Sequence, residues 1–279
     1  MRTLIHLSDL HFGRVDDALI VPLTKLVTQI KPDVVVVSGD LTQRARTEQF
    51  KEARRFLASL PSPQIVVPGN HDVPLYNMFN RFFQPLDKYR RYITHDLEPV
   101  YVDEEIAVVG INSARSLTIK SGRVNEQQIA RIRARLCALG SHIIKIIVTH
   151  HPFNLPDDYH DKEIVGRAPM AMDMFASCGV DVLLAGHLHV SHAGNTAARY
   201  KIGDYAALVV QAGTATSTRS REESNSFNVI KINPPTISID RFTWKPALAA
   251  FTISTTESFQ RTASGWSRFT ETDSTSGQI

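Results

Sequence analysis

Five short polar blocks in this 279-residue chain each follow an apolar, β-branched run, and each ends that run in side chains able to hold a metal ion. In order, residues 3–7 lead to Asp9-Leu10-His11, residues 34–37 to Gly39-Asp40, and residues 65–67 to Gly69-Asn70-His71-Asp72. Further along, residues 143–148 lead to Thr149-His150-His151-Pro152, and residues 182–184 to Gly186-His187-Leu188-His189. Short runs of this kind predict buried strands, and the loops at the carboxyl ends of such strands are where α/β folds gather their sites. The donors are Asp, Asn and His without a thiolate, a set that suits Mn, Fe, Zn or Co better than a structural zinc.

Between the strands the apolar spacing turns helical. Leu19, Leu23, Leu26, Val27 and Ile30 form one stripe, stopped by Lys31-Pro32-Asp33. A second helix is predicted from Thr47, with Phe50, Ala53, Phe56, Leu57 and Leu60 inward and Pro61 and Pro63 ending it. Asn125 caps a third, with Ile129, Ile132, Leu136 and Leu139 as its stripe, and a fourth covers about 170–177 and closes at Gly179. Met170 and Met174 on that helix read as core filling. Beyond residue 200 the pattern is strands alone: 206–211, 226–232 and 236–244 are expected to be consecutive antiparallel strands.

The five blocks, in this order, resemble the calcineurin-like metallophosphoesterase superfamily, with matches from Asp9 to His189 and softer similarity to about residue 244. A lone D-x-H or H-x-H is weak, but five in order, each after a strand, are specific. The resemblance implies a four-layer α/β/β/α sandwich of two packed mixed sheets. It implies a catalytic domain over residues 1–250, followed by a Ser/Thr-rich segment, 251–279, whose last ten residues are expected to be disordered. Phe251, Phe259 and Trp266 leave room for a docked stretch before those ten.

The same resemblance implies two divalent metal ions. Asp9, His11 and His189 would hold one, Asn70, His150 and His187 the other, and Asp40 would bridge them because a carboxylate has two oxygens. A hydroxide shared by the two cations would be the nucleophile. His71 matches the family histidine that binds no metal and contacts phosphate or protonates the leaving alkoxide. Substrate contacts fall to Asn70, His71 and His151. Asp72 either orients a histidine or caps a helix near Val73.

One departure bears on mechanism. Some phosphoprotein phosphatases carry an aspartate three residues after the bridging one, paired with the catalytic histidine; here Gln43 stands there. Arg44 and Arg46 follow on that loop, either reaching an anionic substrate or standing exposed at a helix start. Two further regions flank the site: the aromatic-rich 73–98, a packing helix, pocket wall or dimer surface, and 153–168, a polar loop set to overhang the metals.

Gly39-Asp40-Leu41-Thr42, Gly69-Asn70-His71-Asp72, Gly213-Thr214-Ala215 and Asn225-Ser226-Phe227-Asn228 resemble the branch of class III cyclic-nucleotide phosphodiesterases and glycerophosphodiesterases, which implies small phosphodiester substrates. A related DNA nuclease would call for a clustered basic face, and the net charge is only +3, so no nucleic acid is expected. The UDP-diacylglucosamine pyrophosphohydrolase branch typically has Arg in place of His71, and a scaffold that had lost its chemistry would lack ligands. Arg131, Arg133 and Arg135 read as the solvated side of an amphipathic helix.

Cys137 and Cys178 are expected to be buried free thiols, consistent with a reducing, cytoplasmic setting. No signal peptide is legible, since Asp9 and His11 sit where one would be, and no apolar run approaches the roughly 20 residues of a membrane helix. A homo-oligomer is left open.

Overall fold

The computed structural model describes residues 1–269 apart from 76–77, 117–119, 157–158, 160 and 219–222, and apart from the side chains of Met78 and Asn80. Disorder over the last ten residues, and roles for Tyr76, Asp157, Asp158 and His160, therefore lie outside the described residues.

The strands are β1 (Arg2–Leu7), β2 (Val34–Val37), β3 (Gln64–Val66), β4 (Val100–Val102), β5 (Ile106–Gly110), β6 (Ile144–Val148) and β7 (Val182–Ala185), then β8 (His192–Asn195), β9 (Leu208–Gln211), β10 (Ser226–Asn233), β11 (Thr236–Lys245), β12 (Ala250–Thr262) and β13 (Gly265–Phe269). The helices are α1 (Asp17–Ile30), α2 (Thr47–Ala58), α3 (Met78–Phe83), α4 (Asp87–Tyr92), α5 (Glu126–Leu136) and α6 (Ala168–Cys178). One sheet runs β13-β12-β11-β10-β1-β2-β3 and the other β4-β5-β6-β7-β9-β8.

Period-two alternation builds the layers. Leu4, Val34 and Val36 face the second sheet, where they meet Ile146, Val148 and Leu184 in the core between the sheets. Ile5, Val35 and Val37 face outward and are covered by Leu23 and Val27 of α1 and by Phe50 and Phe56 of α2. Across the molecule, Val109, Ile147 and Leu183 are covered by Ile132 of α5 and by Met172, Met174 and Phe175 of α6. The result is the expected α/β/β/α sandwich. β1, β2 and β3 are parallel, as are β5, β6, β7 and β9, so the five blocks leave their strands as loops that converge on one cleft.

Three expectations need correction. First, 206–211 is not the first strand of an antiparallel meander: β9 lies in the second sheet, parallel to β7 and antiparallel to β8. Periodicity identifies a strand but not its sheet. Second, the boundary at residue 250 does not hold. β12 and β13 extend the first sheet as a hairpin, with Phe259 and Trp266 buried between the sheets. Within this hairpin Ser254, Thr255, Thr256, Thr262 and Ser264 are exposed.

Third, Cys137 and Cys178 form a disulfide and are not free. Cys137 is the residue after the last turn of α5 and Cys178 ends α6, so pairing these helices brings their C-termini together. A disulfide-bonded pair gives no indication of a reducing compartment. No described helix is long and apolar enough to cross a membrane. A cross-link between residues 41 apart stabilises by about 2–4 kcal/mol. Reduction, or Cys137→Ser, should therefore lower the thermal midpoint by several degrees, and alkylation of the unfolded, unreduced protein should find no free thiol.

Candidate metal centre

Asp9, His11, Asp40, His187 and His189 all sit at positive φ, between 51° and 74°. A left-handed backbone costs an L-residue about 1–2 kcal/mol, and such strain clusters where a side chain must be aimed. Adjoining loops hold the residues there: the Asp9 N–H donates to the Gly39 carbonyl (3.1 Å), that of His11 to Asp40 (2.9 Å), and that of Gly186 to His150 (3.1 Å). The glycines permit this approach. A Cβ on Gly69 would overlap the Asp40 carboxylate, and one on Gly186 would overlap the Ser8 hydroxyl and crowd Asp9.

One group of donors comes from Asp9, His11 and His189. Asp9 Oδ2 accepts from the Ser8 hydroxyl (2.7 Å) and from the His187 N–H (3.1 Å), which leaves Oδ1 facing His11 Nε2 at 3.6 Å and His189 Nε2 at 3.5 Å. The His11 and His189 rings stack at 5.1 Å. Asp9 Oδ1 and both His11 nitrogens are buried without a hydrogen-bond partner. Each such atom ordinarily costs about 1–3 kcal/mol. A cation bound by Asp9 Oδ1 and His11 Nε2 would remove that cost at those two atoms.

The other group comes from Asn70, His150 and His187. His150 Nδ1–H donates to the Ser38 carbonyl (2.8 Å), turning Nε2 inward, and His187 Nε2 is bonded to Glu163 Oε2 (2.9 Å), turning Nδ1 inward. Asn70 Oδ1 then lies 3.1 Å from His150 Nε2 and 3.2 Å from His187 Nδ1, with the two nitrogens 3.3 Å apart. Three acceptor atoms at such distances need a positive centre between them, so both groups fit divalent cations by donor chemistry and by geometry.

Asp40 connects the groups through a single oxygen. Its Oδ2 is 3.4 Å from His150 Nε2 and 3.8 Å from His11 Nε2, while Oδ1 accepts the backbone N–H of His71 (2.8 Å). Oδ2 is therefore the Asp40 oxygen that lies near both groups, while Oδ1 ties the carboxylate to the His71 backbone. Burial opposes ionisation of Asp40, but His150 outweighs it and holds the carboxyl well below its usual range. Burial likewise opposes protonation of His150, yet Asp40 raises it to about 9. In the absence of a cation, a proton supplies the positive charge.

The half-buried His71 directs Nδ1 at the Gln43 carbonyl (2.9 Å) and packs edge-on to His11 at 4.9 Å. The backbone of Gln43 thus orients His71 where some relatives use an aspartate side chain. His151 departs from expectation. Fully buried, it is bonded through Nδ1 to the Ser113 hydroxyl (2.8 Å) and through Nε2 to the Lys120 carbonyl (2.7 Å). Its ring lies 4.6 Å from that of His187, and together with His150 and His187 it forms a third group of side chains able to hold a metal ion.

Asp72 contacts no histidine ring in the bonds described; it closes the short turn Asn70–Asp72 through the N–H of Gly69, not a helix starting near Val73. It accepts from the backbone N–H groups of Leu41 (3.1 Å), Thr42 (2.9 Å) and Gly69 (2.9 Å), which ties the Asp40 loop to the Asn70 loop. Burial, and Asp40 after it, raise its carboxyl to about 6 despite those bonds. Two supports escaped sequence reading: Glu163 on His187, and the Thr214 hydroxyl on His189 Nδ1 (2.8 Å). Glu163 lies in the 153–168 loop expected to overhang the site, and Thr214 lies in a quoted motif without an assigned role; neither partnership is visible from spacing.

A cleft of about 60 Å³ lies over the donors, bounded by Asn70, His71, Lys120, Glu163, His187 and His189. Replacing Asp72 with Ala would leave three buried N–H groups unsatisfied, at about 1–3 kcal/mol each. Urea unfolding of Asp72→Ala should show a loss of several kcal/mol. A metal titration should show weaker uptake at both groups, because the Asp40 loop and the Asn70 loop are released together.

The calcineurin-like phosphoesterase family model matches residues 2–191. A probable glycerophosphodiester phosphodiesterase, GpdQ, of Arcobacter nitrofigilis is 26% identical over 162 residues, which is 57% of each chain. The 3',5'-cyclic adenosine monophosphate phosphodiesterase CpdA of Escherichia coli is 25% identical over 165 residues, 56% of this chain and 54% of that one. The matches thus span little more than half the length of these curated relatives. Among solved structures, a purple acid phosphatase from yellow lupin seeds superposes with a TM-score of 0.69 at 9% identity, covering 92% of this chain and 53% of its own. A dimetal phosphatase from Danio rerio does so at 0.60 and 14% identity, covering 86% and 95%. These two likenesses establish the fold, and with the family match over residues 2–191 the chain belongs to the calcineurin-like phosphoesterases.

Proposed function

We propose that the cleft hydrolyses small phosphodiesters with the help of two divalent cations. The observation that carries this reading is the single Asp40 oxygen lying within 3.4 Å of His150 and 3.8 Å of His11, at the junction of the two donor groups. Asp9, His11, His189 and Asp40 would hold one cation; Asn70, His150, His187 and Asp40 would hold the other. Such a pair, when bound, polarises phosphoryl oxygens and acidifies water.

The chain's own residues do the rest. The strained loops hold the donors rigid, so little reorganisation accompanies the build-up of charge at phosphorus. His71, with Nδ1–H spent on Gln43, presents its other nitrogen to the leaving oxygen. As a water oxygen bonds to phosphorus, the bond from phosphorus to the leaving oxygen breaks. That oxygen keeps the electron pair and takes a proton from His71 Nε2. The likeness to glycerophosphodiester and cyclic-nucleotide phosphodiesterases supports a small diester, and the modest net charge of +3 speaks against a nucleic-acid polymer.

Three measurements test this reading. Metal-loaded protein should cleave bis-p-nitrophenyl phosphate and chelator-treated protein should not; fewer than two metals per chain at saturation, with no metal-dependent turnover, would refute it. Asp40→Ala should cost more activity than Asn70→Ala, since it removes a donor from both groups. His71→Ala should keep its metals yet lose about 10²–10⁴-fold in rate on alkyl leaving groups. The loss should shrink for p-nitrophenolate, which departs without a proton; equal losses on both would make His71 a phosphate-orienting group.

A further inference from the structure

Next to the cleft lies a second chamber of about 200 Å³, whose further lining residues Arg44 and Arg81 have no part in the hydrolysis described above. The two spaces share Asn70, His71 and Lys120 as walls, so a diester with its phosphorus over the metal donors extends past His71 into this chamber. Its volume is below the roughly 300–1,000 Å³ of pockets for drug-sized ligands, which limits the occupant to a compact group.

The charge of the lining is one-sided. Arg44, Arg81 and Lys120 surround the chamber, and among the described residues no Asp or Glu lines it. Arg81 is only 5% exposed, and its Nη1–H donates to the Pro74 carbonyl (3.0 Å), which anchors the guanidinium in the wall. Arg44 lies on the loop that supplies the Gln43 carbonyl to His71, so this cation and the proton donor are fixed to the same backbone. A guanidinium held this way matches a carboxylate or phosphate with paired, charge-assisted hydrogen bonds, which are stronger than neutral ones.

We propose that this chamber is a leaving-group subsite for a second anion, and that the preferred substrates are phosphodiesters whose leaving alcohol carries its own phosphate or carboxylate. The inference rests on the phosphodiesterase reading above. Arg44, Arg81 and Lys120 line the chamber next to His71, where the leaving alcohol of a diester held over the donor groups would lie. The same field retains the anionic alcohol until the phosphate product has left, so discrimination falls on KM and on product inhibition more than on kcat.

The test uses manganese-loaded, full-length protein and three methyl aryl phosphates whose nitrophenol leaving groups differ in one substituent: carboxylate, phosphonate or the neutral, isosteric carboxamide. The expected result is a preference of roughly ten- to a hundredfold in kcat/KM, carried by KM, for the anionic leaving groups over the carboxamide. Arg81→Met and, independently, Arg44→Met should shrink that ratio toward one while leaving carboxamide turnover unchanged. The second variant keeps the test decisive if the buried first one fails to fold. A phosphonate advantage over carboxylate would identify a phosphate-bearing alcohol, and the reverse a carboxylate-bearing one. Equal kcat/KM for all three, with turnover still metal-dependent, would overturn the subsite and leave the phosphodiesterase reading standing. If no ester turns over, that reading fails, and calorimetric binding of the free phenols decides the subsite: tighter binding of the anionic phenols supports it, and equal binding ends it.

Discussion

Oxygen and nitrogen lone pairs from seven side chains converge at one end of the sandwich, and the surrounding structure holds them there against their mutual repulsion. Asp9, Asp40, Asn70 and four histidines supply the atoms, most of them buried, with separations of 3.1–3.8 Å along the contacts described. Without a positive charge such an arrangement is unfavourable. A cation satisfies it, and otherwise a proton on His150 satisfies it in part.

Outer contacts aim each donor. The Ser38 carbonyl turns His150, Glu163 turns His187, Thr214 holds His189, and Ser8 fixes one oxygen of Asp9 so that the other faces inward. Each contact spends one polar atom of a donor on the scaffold and leaves the other for the site. Asp40 divides in the same way, with Oδ1 on the His71 backbone and Oδ2 between the donor groups. His71 and the Asp40 carboxylate are therefore mechanically linked, and a disturbance of one loop reaches both.

The supports are spread over two sheets that share one apolar core. β1, β2 and β3 deliver Asp9, His11, Asp40, Asn70 and His71; β6 and β7 deliver His150, His187 and His189. The intersheet core packed from Leu4, Val36, Val148 and Leu184 sets the separation of these two groups of loops. Loss of packing there should move His150 relative to Asp40, and with it the junction of the two donor groups. The disulfide between α5 and α6 braces the far side of the second sheet.

The sequence by itself determined which donors exist and that each ends a strand, because β-branched alternation and the Gly, Asp and His blocks are local signals. It also determined α1, α2, α5 and α6, whose stripes and caps are legible residue by residue. Only the tertiary structure decided that one oxygen of Asp40 faces both donor groups, that His151 is a buried support, and that Asp72 ties two loops together. It alone placed Glu163 against His187, joined Cys137 to Cys178, and assigned β9, β12 and β13 to their sheets. The reason is physical: most of these features depend on atoms distant along the chain, such as Glu163 and His187 (24 residues apart) or Asn70 and His150 (80 apart), brought together by strand register and sheet packing, whereas spacing along a chain constrains only near neighbours.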